Sequence, residues 1–435
     1  MSAPFPPDIF KGERFAVLGL GRAGLPAARA LVAMGAEVTV WDDTAKAREA
    51  ATGLVVAEPV MAGLQGLVMS PGIPHLLPKP HPAAIAARAS GVPILSDADL
   101  LYRAVRKAGS AARFVGITGT NGKSTTTALV AHILTQSGLQ AKAGGNLGEA
   151  ALSLGLLPDD GVYVLEMSSY MLERLASLRF DAAAMLNLSA DHIDRHGDMA
   201  GYAAAKRHIF DRQTEGDVAV IGADDALSRE MAADHGPARL VMISGDDAPL
   251  ATAPTLPGRH NAQNIAAATA LCHALGLGDA AIAAGIRSYP GLAHRQELVA
   301  RSGETLWVND SKATNADSAA KALSCYERMI WIAGGQSKEG GIAPLAEFFP
   351  RIRHALLIGR DAAPFAETLS AHNVAHSLVG TLERAVDEAV RLIPMLAPDA
   401  VLLSPACASW DQFTGFDQRG DVFRDLARKA AGESI

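Results

Sequence analysis

The chain has 435 residues, too many for one ordinary core, so roughly two to four domains are expected. Its composition, 49% hydrophobic and 20% charged, is that of a globular protein free in solution, and no run of about 18 apolar residues is available to span a membrane. A formal charge of −7 and only 5% aromatics argue against a nucleic-acid binder, which needs clustered cations and stacking platforms. Met1 to Phe10 lacks a basic segment followed by an apolar stretch, and Cys272, Cys325 and Cys407 lie far apart without metal-ligand spacing. Both features fit a protein of the reducing cytoplasm.

The first segment opens with a strand, Phe15 to Leu18, then the turn Gly19-Leu20-Gly21-Arg22-Ala23-Gly24 and a helix reaching Met34. A second strand, Glu37 to Trp41, ends at Asp42 and Asp43. This is a βαβ pattern with a G-x-G-x-x-G turn and an acidic residue about 20 positions on, which lets the backbone approach a diphosphate at a helix N-terminus. A further strand, Gly66 to Met69, runs into the turn Ser70-Pro71-Gly72-Ile73-Pro74; a parallel sheet would bring that loop to the same edge as the glycine turn.

The second segment carries the strand Phe114 to Thr118, the loop Gly119-Thr120-Asn121-Gly122-Lys123-Ser124 and an amphipathic helix to about Gln136. Strands from Val162 to Leu165, ending at Glu166, and from Ala183 to Leu188, preceding Asp191-His192, follow. The third segment alternates strands at Thr305 to Val308, Met329 to Ala333, Ala355 to Ile358 and Ala400 to Leu403 with helices such as Thr381 to Leu392. Strands alternating with helices define an α/β protein. Three domains are expected: a Rossmann-like N-terminal domain over residues 1–103, a central P-loop ATPase-like parallel sheet over 104–290, and a Rossmann-like C-terminal domain over 291–435.

The phosphate loop is the strongest chemical signal. Backbone amides of a Gly-rich turn surround phosphate oxygens, Lys123 reaches the terminal phosphates and Ser124 offers a hydroxyl to Mg²⁺. The strict pattern asks for glycine five positions before Gly122, where Ile117 stands, so the loop is a variant in which Gly119 takes part of that role. Glu166 is placed like a carboxylate that orders Mg²⁺ or water, and reads equally as a surface strand terminus. His192 and His196 have H-x-x-x-H spacing, but Ile193 stands where a zinc protease needs its glutamate. Lys206 reads as an ordinary helix-surface lysine. The segment Asp310-Ser311-Lys312-Ala313-Thr314-Asn315 follows a strand and is as polar as ligand loops are, though a plain turn reads equally well.

Together, Thr118 to Ser124, Glu166-Met167-Ser168-Ser169, Asp191-His192, Gly258 to Asn264 and His294-Arg295 resemble, in order and along essentially the whole chain, the Mur ligases of peptidoglycan synthesis. Within that family, the Asp310 to Asn315 segment and Leu403 to Ser409 look like the D-glutamate-adding branch. The resemblance implies ATP-dependent joining of D-glutamate to UDP-N-acetylmuramoyl-L-alanine through an acyl phosphate, by a cytoplasmic monomer with no nucleic-acid or membrane partner.

It implies two Mg²⁺ sites, with Ser124 and Glu166 on one, His192 on the other, and Lys206 carbamylated to face metal. Lys123 would be catalytic along with His192 and Lys206. ATP would be held by Gly119, Thr120, Asn121, Gly122, Lys123, Ser124, Thr125, Asn264, Arg295 and Asp310. The first domain would hold uridine, diphosphate or sugar through Gly21, Arg22, Ala23, Asp43, Gly72 and Asn146. Thr314, Lys338, Ser409 and Phe416 fall where D-glutamate is held, and Gly415 departs from the polar residue expected there. A sibling ligase adding a different amino acid is the nearest alternative. An NAD-dependent oxidoreductase built on the first glycine turn, or a non-catalytic P-loop regulator, is a rival from another class.

Overall fold

A computed structural model describes residues 3–248, 253, 255–337 and 340–432, with the side chains of 259 and 260 outside the description. The chain forms two compact units, Met1–Thr252 with Asn261–Tyr289, and Ala253–His260 with Pro290–Ile435.

The first unit holds two parallel sheets. One contains β1 (Arg14–Leu18), β2 (Glu37–Trp41), β3 (Val55–Val56), β4 (Gly66–Met69) and β5 (Ile94–Leu95), in the order β3-β2-β1-β4-β5. The other contains β6 (Arg113–Thr118), β7 (Ala141–Gly145), β8 (Val162–Glu166), β9 (Ala182–Met185), β10 (Val218–Gly222) and β11 (Arg239–Ile243), in the order β11-β10-β9-β6-β8-β7. In both, the strand order reverses beside the strand feeding a glycine turn: β1 lies between β2 and β4, and β6 between β9 and β8. Such a switch point opens a crevice at the carboxyl ends of the strands, which is where α/β sheets bind ligands.

The central strands are buried on both faces, so they read as continuous apolar runs rather than alternating ones. One hydrophobic core runs through both sheets of the unit, from Phe10 and Phe15 to Phe114, Tyr163 and Leu165. Helix Asp97–Lys107 runs unbroken through the position between residues 103 and 104, contributing Leu100, Leu101 and Ala104 to that core. Its start is well specified: Ser96 Oγ accepts from the Ala98 N–H, and Asp97 and Asp99 stand in the first turn.

The second unit contains β12 (Glu297–Ser302), β13 (Thr305–Asn309), β14 (Met329–Gly334), β15 (Ile352–Ile358), β16 (His376–Gly380) and β17 (Ala400–Leu403), in the order β12-β13-β17-β14-β15-β16. Only β12, hairpinned onto β13, runs antiparallel. Trp331 and Leu402 face one apolar layer and Trp307, Ile332 and Leu403 the other, so helices cover both faces.

β9 ends at Met185 rather than at Leu188. Beyond it the backbone turns to serve the phosphate loop: Leu186 N–H donates to the Thr118 carbonyl and Asn187 O accepts from Thr120 N–H at 2.8 Å.

Candidate active site

The phosphate loop joins β6 to helix Lys123–Gln136, and its glycines do separate jobs. Gly119 has φ +149° and Gly122 φ +85°, backbone that side chains rarely adopt. A Cβ on Gly122 would stand 2.1 Å from Asn264 Oδ1, so the glycine lets the asparagine reach the loop. Ile117, at the position where the strict pattern wants glycine, is a fully buried residue of β6 paired with Glu166 and Ala184. The turn starts only after Thr118, so no left-handed residue is needed at 117.

Two amines converge beneath this loop. Lys123 Nζ donates to the Gly119 and Thr120 carbonyls, both at 2.9 Å, and Lys206 Nζ donates to the same Gly119 carbonyl at 2.9 Å. Lys206 is not the surface lysine that its helical segment, Met199–Arg207, suggested: it is 1% exposed, with its amine 4.7 Å from the Tyr202 ring. Burial, reinforced by the Lys123 charge, lowers its pKa well below the usual lysine value, against weaker pulls from Asp191 and Glu166. The shift favours the neutral, nucleophilic form of the amine.

Glu166 closes β8 and is 2% exposed. Its Oε1 accepts from Asn146 Nδ2 at 2.8 Å, while the buried Oε2 has no partner. A buried carboxylate oxygen without a donor is costly, and a cation would satisfy it. Ser124, one residue past Lys123 and 8% exposed, supplies the hydroxyl that a hard cation accepts beside phosphate oxygens. The residues present therefore fit Mg²⁺.

His192 sits in left-handed backbone, φ +54°, its Nε2 3.4 Å from Asp191 and its ring 5.2 Å from Tyr170. Burial, helped by Lys123 and Lys206, lowers its pKa against Asp191, which favours the neutral imidazole that binds metals. His196 is a different histidine from the one its spacing invites: it bonds Ser169 Oγ at 2.9 Å, pairs with Glu173 at 3.4 Å and stacks on Tyr170.

Asn264 accepts from Thr126 Oγ1 and is steered by Asn261, which accepts from its Nδ2 at 2.9 Å. Sequence reading missed two residues that hold the same corner: Asn187 braces Asn121 through its backbone N–H and carbonyl, and Gln263 ties Asn187 to Asp224. Thr125 is buried against the sheet, and Thr120 Oγ1 bridges to the Ser189 carbonyl.

At the first sheet, Gly21, Arg22, Ala23, Asp43, Gly72 and Asn146 all line one cleft of about 480 Å³. The helix Gly24–Ala33 starts there, and a Cβ on Gly24 would stand 1.8 Å from the Gly19 carbonyl, so glycine allows the helix to begin against the turn. Asp42 accepts from the Leu20 and Thr44 N–H groups, both at 2.8 Å. Burial would raise its pKa, but those bonds and Arg48 outweigh it and hold the carboxyl below its ordinary value. Asp43 instead faces His81, 3.2 Å away. Asn146 both lines the cleft and holds Glu166, linking the two sites of this unit.

In the second unit, Arg295 lies between two left-handed residues, His294 (φ +62°) and Gln296 (φ +45°). Asp310 is buried, accepting from Gln296 N–H at 3.2 Å and Ser404 Oγ at 2.8 Å. Burial pushes its pKa up to about 7 despite Ser404 and Arg295. Thr314, Ser409 and Phe416 lie on three segments that Arg419 and Ser311 tie together: Arg419 donates to Ser311 and to the Cys407 carbonyl, and Ser311 Oγ to the Phe416 carbonyl. Lys338 lies outside the described residues. Gly415 caps helix Phe416–Ala430 in extended backbone, and a Cβ there would meet Asp417 Oδ1 at 2.4 Å.

Fold and site together define a phosphate-loop α/β protein with a second, cleft-bearing parallel α/β sheet in the same unit. Residues 117–248 match the Mur ligase middle domain and residues 294–407 the Mur ligase glutamate ligase domain. A UDP-N-acetylmuramoylalanine--D-glutamate ligase of Paramagnetospirillum magneticum is 49% identical over 97% of this chain and 97% of its own length. One of Rhodospirillum rubrum is 45% identical over 97% and 96%. Among solved structures, a MurF of Acinetobacter baumannii aligns with TM-score 0.60 at 18% identity, covering 96% of this chain and 91% of its own. The UDP-N-acetylmuramate-alanine ligase of Thermotoga maritima aligns with TM-score 0.58 at 17% identity, covering 96% and 99%. The chain belongs to the Mur ligase family.

Proposed function

We propose that this chain adds D-glutamate to UDP-N-acetylmuramoyl-L-alanine, with cleavage of ATP to ADP and phosphate, as a cytoplasmic monomer in peptidoglycan precursor synthesis. The observation that carries the reading is the convergence of Lys123 and Lys206 on one loop carbonyl beside the unpartnered oxygen of Glu166. The names borne by relatives up to 49% identical supply the amino acid.

A carboxylate resists an amine because its oxygen leaves poorly. Transfer of the γ-phosphoryl group onto the alanyl carboxylate converts that oxygen into phosphate, a good leaving group, and the amine of D-glutamate then attacks the acyl carbon. In the first step charge builds on phosphoryl oxygens, so the loop amides from Gly119 to Lys123 and the Lys123 ammonium supply the stabilisation. The Lys123 amine leaves the Gly119 and Thr120 carbonyls for those oxygens. Ser124 and Glu166 would hold one Mg²⁺, and His192 with Lys206 a second; when bound, such ions would supply positive charge that stabilises the phosphates and the acceptor carboxylate. Burial favours the neutral amine of Lys206, the form whose nitrogen can bond to the carbon of CO₂ with release of one proton to solvent, and the resulting carbamate would be an anionic group facing metal.

Residues 1–103 form the uridine-substrate domain, 104–290 the ATP domain and 291–435 the amino-acid domain. Gly21, Arg22, Ala23, Asp43, Gly72 and Asn146 receive the uridine diphosphate. Thr125, Asn264, Arg295 and Asp310 complete the ATP contacts, and Thr314, Lys338, Ser409 and Phe416 hold D-glutamate. Lys123→Ala tests the assignment: ligation falls by about a hundredfold or more while calorimetry still records uridine-nucleotide binding. Ligation that survives the substitution contradicts it.

A further inference from the structure

The carbonyls of the loop after β4 are held by two arginines. Arg174 Nη1 donates to the Met69 and Ser70 carbonyls at 2.8 and 2.9 Å, and its Nη2 to the Ile73 carbonyl at 2.6 Å. Arg195 Nη1 reaches the Gly72 carbonyl at 3.2 Å and its Nη2 the Pro71 carbonyl at 3.5 Å. Every carbonyl from Met69 to Ile73 is thus aimed at one of two guanidiniums. Ser70, Pro71, Gly72 and Ile73 line the 480 Å³ cleft, whereas neither arginine does. The negative ends of these peptide dipoles are therefore turned toward groups that do not line the cleft.

The charge of these arginines also calls for an explanation. Arg174 is 2% exposed, and among the described residues neither guanidinium forms an ion pair with a carboxylate. Glu173, the acid whose charge Arg174 feels, faces His75 at 3.9 Å and His196 at 3.4 Å instead. A buried cation without an acidic partner is expensive, and burial beside Arg195 lowers the Arg174 pKa to about 10. An anion across the loop would supply the missing partner charge.

We propose that Arg174 and Arg195 are positioning residues for the diphosphate of the uridine substrate. They hold the carbonyls of residues 69–73 out of the cleft and set two positive charges behind the loop that meets the phosphates. This rests on reading the cleft as the uridine-diphosphate site. Arg195 stands three residues after His192 and over the Tyr170 ring at 4.3 Å, and the Arg174 carbonyl accepts from Ser96 N–H at 3.0 Å. The pair thus fastens the substrate loop to the segment carrying the proposed metal-facing histidine.

The test measures KM for each of the three substrates, kcat, and the affinity for uridine diphosphate alone by calorimetry, in Arg195→Ala, Arg174→Ala and Arg174→Lys. We expect KM for the uridine substrate and Kd for uridine diphosphate to rise about ten- to hundredfold, the scale on which a misplaced positioning contact costs. KM for ATP and for D-glutamate stays within about twofold, and Arg174→Lys recovers part of the loss. Should Arg174→Ala fail to fold, Arg195, which is only half-buried, still gives the answer. Unchanged uridine affinity in Arg195→Ala, or a uniform rise in all three KM values, overturns the proposal. Wild-type protein that ligates D-glutamate but does not bind uridine diphosphate overturns the reading of the cleft, and the proposal with it.

Discussion

Lys206 shows how far a single residue's chemistry depends on what surrounds it. In sequence it is one lysine in a short helix; in the fold it is enclosed by Thr118, Gly119 and Tyr202, and burial favours its neutral form. Protein equilibrated with ¹³C-bicarbonate is expected to show a carbamate carbonyl signal that Lys206→Ala removes; a signal that persists in the variant would move the modification elsewhere. Asp310 gives a second residue-scale expectation. Its folded pKa, about 7, lies above the unfolded value near 4, so the folded state binds the extra proton between them. The stability it contributes is full below about pH 4 and is lost as pH rises through about 7, by up to about 4 kcal/mol. Asp310→Asn should flatten that slope in unfolding midpoints measured from pH 4 to 7; an unchanged slope refutes the assignment. The placement of Glu166 at a strand end and of Lys123 at the start of the helix after the loop was legible in sequence. Arg174 and Arg195 were not, because they act on backbone carbonyls about a hundred positions away, which leave no residue-type signature.

The elements themselves were largely readable, since a strand buried on both faces and a glycine turn before a helix have strong local patterns. Strands β3, β5, β7, β10, β11, β12 and β16 were not: a two-residue run such as the exposed β3 or the partly buried β5, or a hairpin such as β12, carries little periodicity, and Gly-rich β7 and half-exposed β11 and β16 lack an apolar run. β9 was read too long because Leu186 and Leu188 are apolar, yet the backbone of Leu186 and Asn187 serves the phosphate loop and the Leu188 N–H donates to Asp225. The loop's geometry makes its own prediction through Gly122. Gly122→Ala forces a Cβ into Asn264 as well as a left-handed backbone, whereas Gly138→Ala, at φ +87°, meets nothing within 4 Å. Both should lose about 1–2 kcal/mol of stability from backbone strain, but only Gly122→Ala should raise KM for ATP, by about tenfold. Equal KM values in the two variants would mean that the Gly122–Asn264 approach does not shape the nucleotide site.

Across the whole molecule, the two parallel sheets of the first unit are joined by Asn146, which lines the cleft and holds Glu166. The second unit brings Arg295, Asp310 and the segments of Thr314, Ser409 and Phe416. If, as proposed, the carboxylate, the phosphoryl donor and the amine are held by different parts of the chain, phosphate should be released only when all the substrates are present. Which amino acid completes the set was legible only through the resemblance of the Asp310 to Asn315 and Leu403 to Ser409 segments, since the residues proposed to hold it, Thr314, Lys338, Ser409 and Phe416, are scattered along the chain. The central claim is tested most directly by measuring ADP and phosphate release with UDP-N-acetylmuramoyl-L-alanine, ATP and Mg²⁺ across a panel of amino acids. Turnover with D-glutamate and little with any other is the predicted result; equal turnover with L-alanine or a diamino acid would contradict it.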